Sequence, residues 1–109
     1  MSSTHVLVVY SSPVAGQESE YNQWYDEQHL KDVLQAPGFL AAQRFKLPDE
    51  PDRAPCYLAL YEMRTEDPEA ALAELTSRAG TPHMIISDAL DMTVTSMTLV
   101  KAITGRVTK

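Results

Sequence analysis

A chain of 109 residues, with 9 Lys and Arg against 15 Asp and Glu and a net charge of −6, has the length of one ordinary domain. It buries enough surface for one core without a metal or disulfide staple. The few cations are scattered rather than gathered into a patch, which argues against nucleic acids and anionic membranes as partners. The single cysteine, Cys56, makes no internal disulfide, and no apolar run approaches the ~20 residues of a bilayer span. The start, MSSTHVLVVYSSP, lacks the basic onset of a signal peptide, so a cytoplasmic protein is expected.

THVLVVY, residues 4–10, is a β-branched run closed by Ser11-Ser12-Pro13, and reads as a buried first strand with His5, Leu7 and Val9 on one face. A loop around Gly16 leads to a helix whose first turn carries Glu18 and Glu20, where the macrodipole favours acid. On that helix Tyr21, Tyr25, His29 and Val33 recur at four-residue spacing as one mostly apolar stripe, so His29 is aimed at the interior. Trp24 and Gln28 form a flank, and Pro37-Gly38 ends the helix.

FLAAQRFKL alternates Phe39, Ala41, Gln43, Phe45 and Leu47 against Leu40, Ala42, Arg44 and Lys46, which predicts a second strand. The proline-rich, charged stretch 48–55 is a surface loop. CYLALYEM, residues 56–63, predicts a third, largely apolar strand in which Cys56 is a small buried hydrophobe, and its short separation from the second suggests an antiparallel pair. Thr65 or Asp67 can cap a second helix that starts at Pro68, turns Leu72 and Leu75 inward, and ends at Gly80. Residues 81–92 are either a short turn of helix or an irregular flap, and TVTSMTLVKAI is the last strand.

The order strand, helix, strand, strand, helix, strand is the split βαβ, ferredoxin-like order of an α+β domain. Its helices cover one sheet face. Three of the four strands look apolar on both faces, so a second copy of the chain is expected over the other, as a homodimer.

The run Tyr21-Asn22, Trp24-Tyr25, His29, Asp32-Val33-Leu34 and Pro37-Gly38-Phe39 resembles the helix motif of EthD-like members of the dimeric α+β barrel superfamily. That resemblance implies two ferredoxin-like units packed sheet to sheet, each with a pocket between sheet and helices into which His29 points. Relatives include cyclases, isomerases, dehydratases, cofactor-free monooxygenases and haem-degrading enzymes.

A histidine near its ordinary pKa suits proton transfer on an acidic carbonyl compound. His29 is therefore the expected catalytic acid or base, with Tyr25 or Tyr21 donating to an oxyanion and His83 reaching the pocket from its far side as partner acid. Trp24 is expected as a pocket wall, and His5 is a second-rank candidate. Asp26 and Asp32, three residues either side of His29, are within helical reach either to fix its tautomer or to favour the imidazolium, a charge that burial opposes. Dispersed histidines at no ligand spacing argue against a metal, and four glycines without a phosphate-cradling pattern argue against nucleotides. The first expectation is a cofactor-independent isomerase, cyclase or dehydratase acting on a small cyclic or aromatic carbonyl compound. The alternative is a small-molecule-binding or haem-binding homodimer, or a cofactor-free monooxygenase, with His29 or His83 as the axial ligand if haem binds.

Overall fold

The computed structural model describes residues 3–109. Four strands, β1 (His5–Ser11), β2 (Phe39–Lys46), β3 (Tyr57–Met63) and β4 (Ser96–Lys101), form one sheet in the order β2-β3-β1-β4. Every neighbouring pair is antiparallel. Both helices cross over one face, which is the ferredoxin-like α+β arrangement expected from the order of elements.

Side-chain alternation divides the sheet into two unlike faces. Leu7 stands opposite Tyr61 and Leu99, and Val9 opposite Ala59 and Met97, so these residues share the helix-covered side. Leu7, Val9, Ala59 and Tyr61 are buried there against Tyr21, Tyr25 and Val33 of the first helix and Leu75 of the second. The outer face carries Val8, Leu58 and Leu60, half-buried, with Tyr10, Phe45 and Val100 exposed. Among the described residues, none covers this apolar surface.

The second strand departs from the expected alternation. Phe39 pairs with Met63 but Ala41 with Glu62, a bulge that places one extra residue in β2. Phe39 therefore shares the helix-covered face with Ala42, Arg44 and Lys46 rather than with Ala41, Gln43 and Phe45. A residue that unbroken alternation sets on the opposite face thereby enters the interior. Just before the bulge, Gly38 adopts a φ of 92°, a left-handed conformation that a side chain disfavours.

The second helix, Pro68–Arg78, begins as expected, with the Asp67 carboxylate accepting from the Ala70 N–H at 3.0 Å and proline in the first turn. Ala71 and Leu75 are buried and Leu72 is half-buried. The 81–92 stretch is irregular: among its described bonds are single backbone links from Val14 N–H to the Ala89 carbonyl (2.7 Å) and from Asp91 N–H to the Ser12 carbonyl (3.0 Å). Cys56 is half-buried and lies one residue before β3 rather than within it. Among the described residues, no helix is long and apolar enough to cross a membrane.

Candidate functional site

The first helix is continuous from Glu18 to Leu34 but not uniform. It is α-helical over Glu18–Trp24, widens to a π-helix over Tyr25–His29, and resumes as α-helix over Leu30–Leu34, with the Leu30 N–H bonded to the Tyr25 carbonyl. In a regular α-helix each four-residue step turns about 40° past a full circle, so Tyr21 and Val33 would diverge by about 120°. The wide turn absorbs one extra residue and takes back about 100°. Tyr21, Tyr25 and Val33 are consequently all buried against the sheet, and His29 stays on their side.

Between this helix, the sheet and the 79–95 stretch lies a cavity of about 250 Å³. Its walls are mainly aliphatic, among them Leu7, Val33, Leu75, Met84 and Leu90. His29 and Tyr25 enter from the first helix, Ser11 from the end of β1 and Tyr61 from β3. Met92 and Met97, both exposed, form the rim.

His29 is wedged between aromatic rings. Its imidazole stacks on Trp24, with centroids 4.4 Å apart and planes 25° from parallel, and meets Tyr25 edge-on at 4.9 Å. Its Nδ1 is buried without a hydrogen-bond partner among the described residues. Burial, helped by the positive charge of Arg44, pushes its pKa down to about 4, so the ring is neutral at neutral pH. An apolar cavity thus presents one uncharged nitrogen base.

The hydroxyls cluster at one end. Tyr61 donates to Tyr25 at 3.3 Å, while Ser11 and Tyr21 share a bond of 2.5 Å. Burial holds the Tyr25 and Tyr61 phenols above their ordinary range and pushes Tyr21 up to about 12, so all three remain protonated.

Behind these rings stands Arg44, which unbroken alternation sets on the face opposite Phe39. Its guanidinium lies 4.3 Å from the Tyr25 ring centroid, 5.1 Å from Tyr57 and 5.4 Å from Tyr21. It donates to Asp26 at 2.5 Å and to the Asn22 side chain at 2.8 Å. Next along, Asn22 donates to the Tyr57 hydroxyl at 3.1 Å, and that hydroxyl donates to Glu18. The bulge in β2 is what brings Arg44 here, and no feature of the sequence announces it.

The expected site residues divide into groups. His29 and Tyr25 line the cavity, and Trp24 backs His29 while its Nε1 donates to the Ile85 carbonyl at 2.9 Å, tying the irregular stretch to the helix. Tyr21 lies behind the cavity wall, fully buried and bonded to Ser11. His83 does not reach the pocket: it is exposed, because Met84 takes the inward position of that stretch. His5 lies near the outer end of β1, its Nδ1 2.9 Å from the Thr4 hydroxyl, away from the cavity lining. Asp26 turns to Arg44 rather than to His29, and Asp32 has one buried carboxylate oxygen with no partner among the described residues.

No family model matches the chain, and no curated protein matches it. Solved structures do. A mutant of MhuD with two manganese protoporphyrin IX molecules bound per active site superposes with a TM-score of 0.61 at 16% identity, covering 96% of this chain and 99% of that one. The haem-degrader MhuD from Mycobacterium tuberculosis with two haems in its active site gives 0.59 at 16% identity, covering 92% and 96%. A candidate monooxygenase from Shewanella loihica gives 0.56 at 19% identity, covering 95% and 98%. None of these is described as EthD-like, so that finer resemblance rests on the helix motif alone. What the three likenesses establish is the fold: over nearly its whole length the chain has the ferredoxin-like α+β architecture of these proteins.

Proposed function

We propose that the chain is a one-domain, homodimeric, cofactor-independent monooxygenase for a small aromatic phenol, with His29 as the base. The observation that carries this reading is the neutral, unpartnered nitrogen of His29 in the wall of an otherwise apolar cavity. A volume of about 250 Å³ falls just below the ~300–1,000 Å³ of drug-sized ligand sites and suits one or two fused rings. Likeness to a candidate monooxygenase favours oxidation over the isomerisation, cyclisation or dehydration expected first from the sequence.

Phenol binding sets the imidazole against an acidic O–H. Imidazolium alone is disfavoured in this wall, but the phenolate formed in contact with it supplies the opposite charge and offsets the burial penalty. With α-naphthol, the ring carbon para to the oxygen bonds to O₂, the O–O bond breaks, and the displaced ring proton and the phenol proton held by His29 leave with the second oxygen as water. One naphthol and one O₂ give one naphthoquinone and one water. The apolar walls hold the ring and keep bulk water from the anion.

Haem binding is the second reading, favoured by structural neighbours that hold haem in one case and manganese protoporphyrin IX in the other, and by the same nitrogen, a neutral imidazole of the kind that ligates iron. The cavity of a single chain is small for a tetrapyrrole, and no Lys or Arg lines it to meet propionates.

Dimerisation through the outer sheet face is part of the proposal, because Val8, Leu58, Leu60, Phe45 and Val100 form an apolar surface that a second copy would bury. The deciding experiment is oxygen uptake and quinone formation with α-naphthol by wild type and His29→Asn, beside a haemin titration of both. Turnover lost in a folded His29→Asn supports the base. A stoichiometric Soret band abolished by the same change, without turnover, replaces this reading with haem binding.

A further inference from the structure

We propose that Ser11, Tyr25 and Tyr61 form an oxygen-binding end of the cavity, which restricts its ligands to apolar ring compounds carrying a carbonyl or phenolate oxygen. The inference rests on the cavity being the ligand site and adds which end of the ligand goes where.

Tyr21, Ser11, Tyr25 and Tyr61 carry four hydroxyls: Ser11 and Tyr21 share a bond of 2.5 Å, and Tyr61 donates to Tyr25 at 3.3 Å. These two bonds use two protons. Two O–H groups are left over, one of them on Tyr25, which accepts from Tyr61, and Ser11, Tyr25 and Tyr61 all line the cavity. The weakest link, at 3.3 Å, joins Tyr25 to Tyr61. Rotating O–H bonds, without moving a heavy atom, delivers the spare proton of this pair to Tyr25 or Tyr61 when an acceptor approaches.

The rest of the lining sharpens the preference. Ser11, Tyr25 and Tyr61 are each no more than 2% exposed, so water does not satisfy the spare donor, and a ligand oxygen has little competition for it. The phenols stay protonated because burial raises their pKa values, with Arg44 behind the rings. At the other walls are aliphatic side chains that offer a hydrocarbon ring contact and no hydrogen bond. His29, touching Tyr25 at 4.9 Å between ring centroids, stands beside the same oxygen. An O–H on the ligand is thus held between donors that strengthen as it ionises and a nitrogen that accepts its proton.

The test compares α-tetralone, an acceptor only, with tetralin, the same two-ring skeleton without oxygen, by calorimetric titration of wild type and the double variant Tyr25→Phe/Tyr61→Phe. Wild type is expected to bind the ketone at least about fivefold more tightly, the worth of about one neutral hydrogen bond. The double variant, which has neither phenol, should lose most of that preference while its tetralin affinity changes little. The infrared carbonyl stretch of bound α-tetralone, read on wild type alone, should fall below its position in hydrocarbon solvent, and this holds even if a variant folds poorly. Equal binding of the two ligands with an unshifted stretch overturns the inference while leaving the cavity as the ligand site. Binding of neither overturns the cavity reading and the inference with it.

Discussion

The guanidinium of Arg44 lies 4.3 Å from the centre of the Tyr25 ring, whose edge meets His29. A cation attracted to the π-face of Tyr25 is thereby one ring away from the nitrogen base of the cavity. Its charge disfavours imidazolium, in the same direction as burial. In Arg44→Met the His29 pKa should rise from about 4, by less than burial alone imposes, and Arg44→Lys should restore part of the depression. Nitrogen-detected NMR titration of the imidazole measures this. An unchanged His29 pKa in a folded Arg44→Met would remove Arg44 from the electrostatics of the site.

Stability should fall with acid because of the same histidine. Unfolded, His29 takes up its proton near pH ~6.5, whereas the folded chain resists until about 4, so between those values the unfolded state binds more protons. Unfolding free energy then drops as pH falls through that window, by at most about 3 kcal/mol for the full shift. Urea titrations across the window should give a steep slope in wild type and a shallower one in His29→Gln. Equal slopes would mean that the imidazole is not held neutral by the fold.

The bond between Ser11 and Tyr21 is buried on both sides, so removing one partner strands the other. Ser11→Ala should cost about 1–3 kcal/mol, Tyr21→Phe a similar amount, and the double variant less than their sum. Additive losses in a denaturation cycle would place the cost in packing rather than in the shared proton.

Trp24 joins two parts of the site, stacking on His29 and bonding the Ile85 carbonyl. Trp24→Phe keeps an aromatic ring but has no N–H. Amides of residues 83–89 should exchange faster in this variant by hydrogen–deuterium mass spectrometry, while those of β1 and β3 remain protected. Uniform acceleration would point to global destabilisation instead.

On the outer face, Val8→Glu places a carboxylate in the middle of the proposed contact between copies. Sedimentation should then give a monomer from a wild-type dimer, with the circular dichroism of the chain preserved. A monomeric wild type would overturn the proposed assembly.

Much of this architecture was readable from residue patterns. Asp67-Pro68 marked a helix start and Pro37-Gly38 a stop, and the four-residue recurrence from Tyr21 to Val33 marked the buried side of the first helix. Two things escaped. Arg44 did, because period-two reasoning assumes an unbroken ladder and the bulge before Ala41 shifts every later residue to the other face. So did what closes the cavity, since the helix motif implied only a pocket between sheet and helices with His29 pointing in. Its outer wall is an irregular stretch fixed by scattered bonds to remote residues, such as Val14 to Ala89 and Trp24 to Ile85, and these have no periodicity to detect.

The wide turn at Tyr25–His29 makes the first helix sensitive to length rather than to composition. Deleting one solvent-facing residue there, Glu27 for example, would let the whole segment wind as regular α-helix, with its helical signal in circular dichroism essentially intact. Tyr21 and Val33, then eleven residues apart, would still stand within about 20° of one another, because the deletion removes the very residue that the wide turn absorbs. A second deletion would have no wide turn to draw on: it would swing Tyr21 by about 100° against Val33, and the protein would keep its helix while losing the geometry of its pocket.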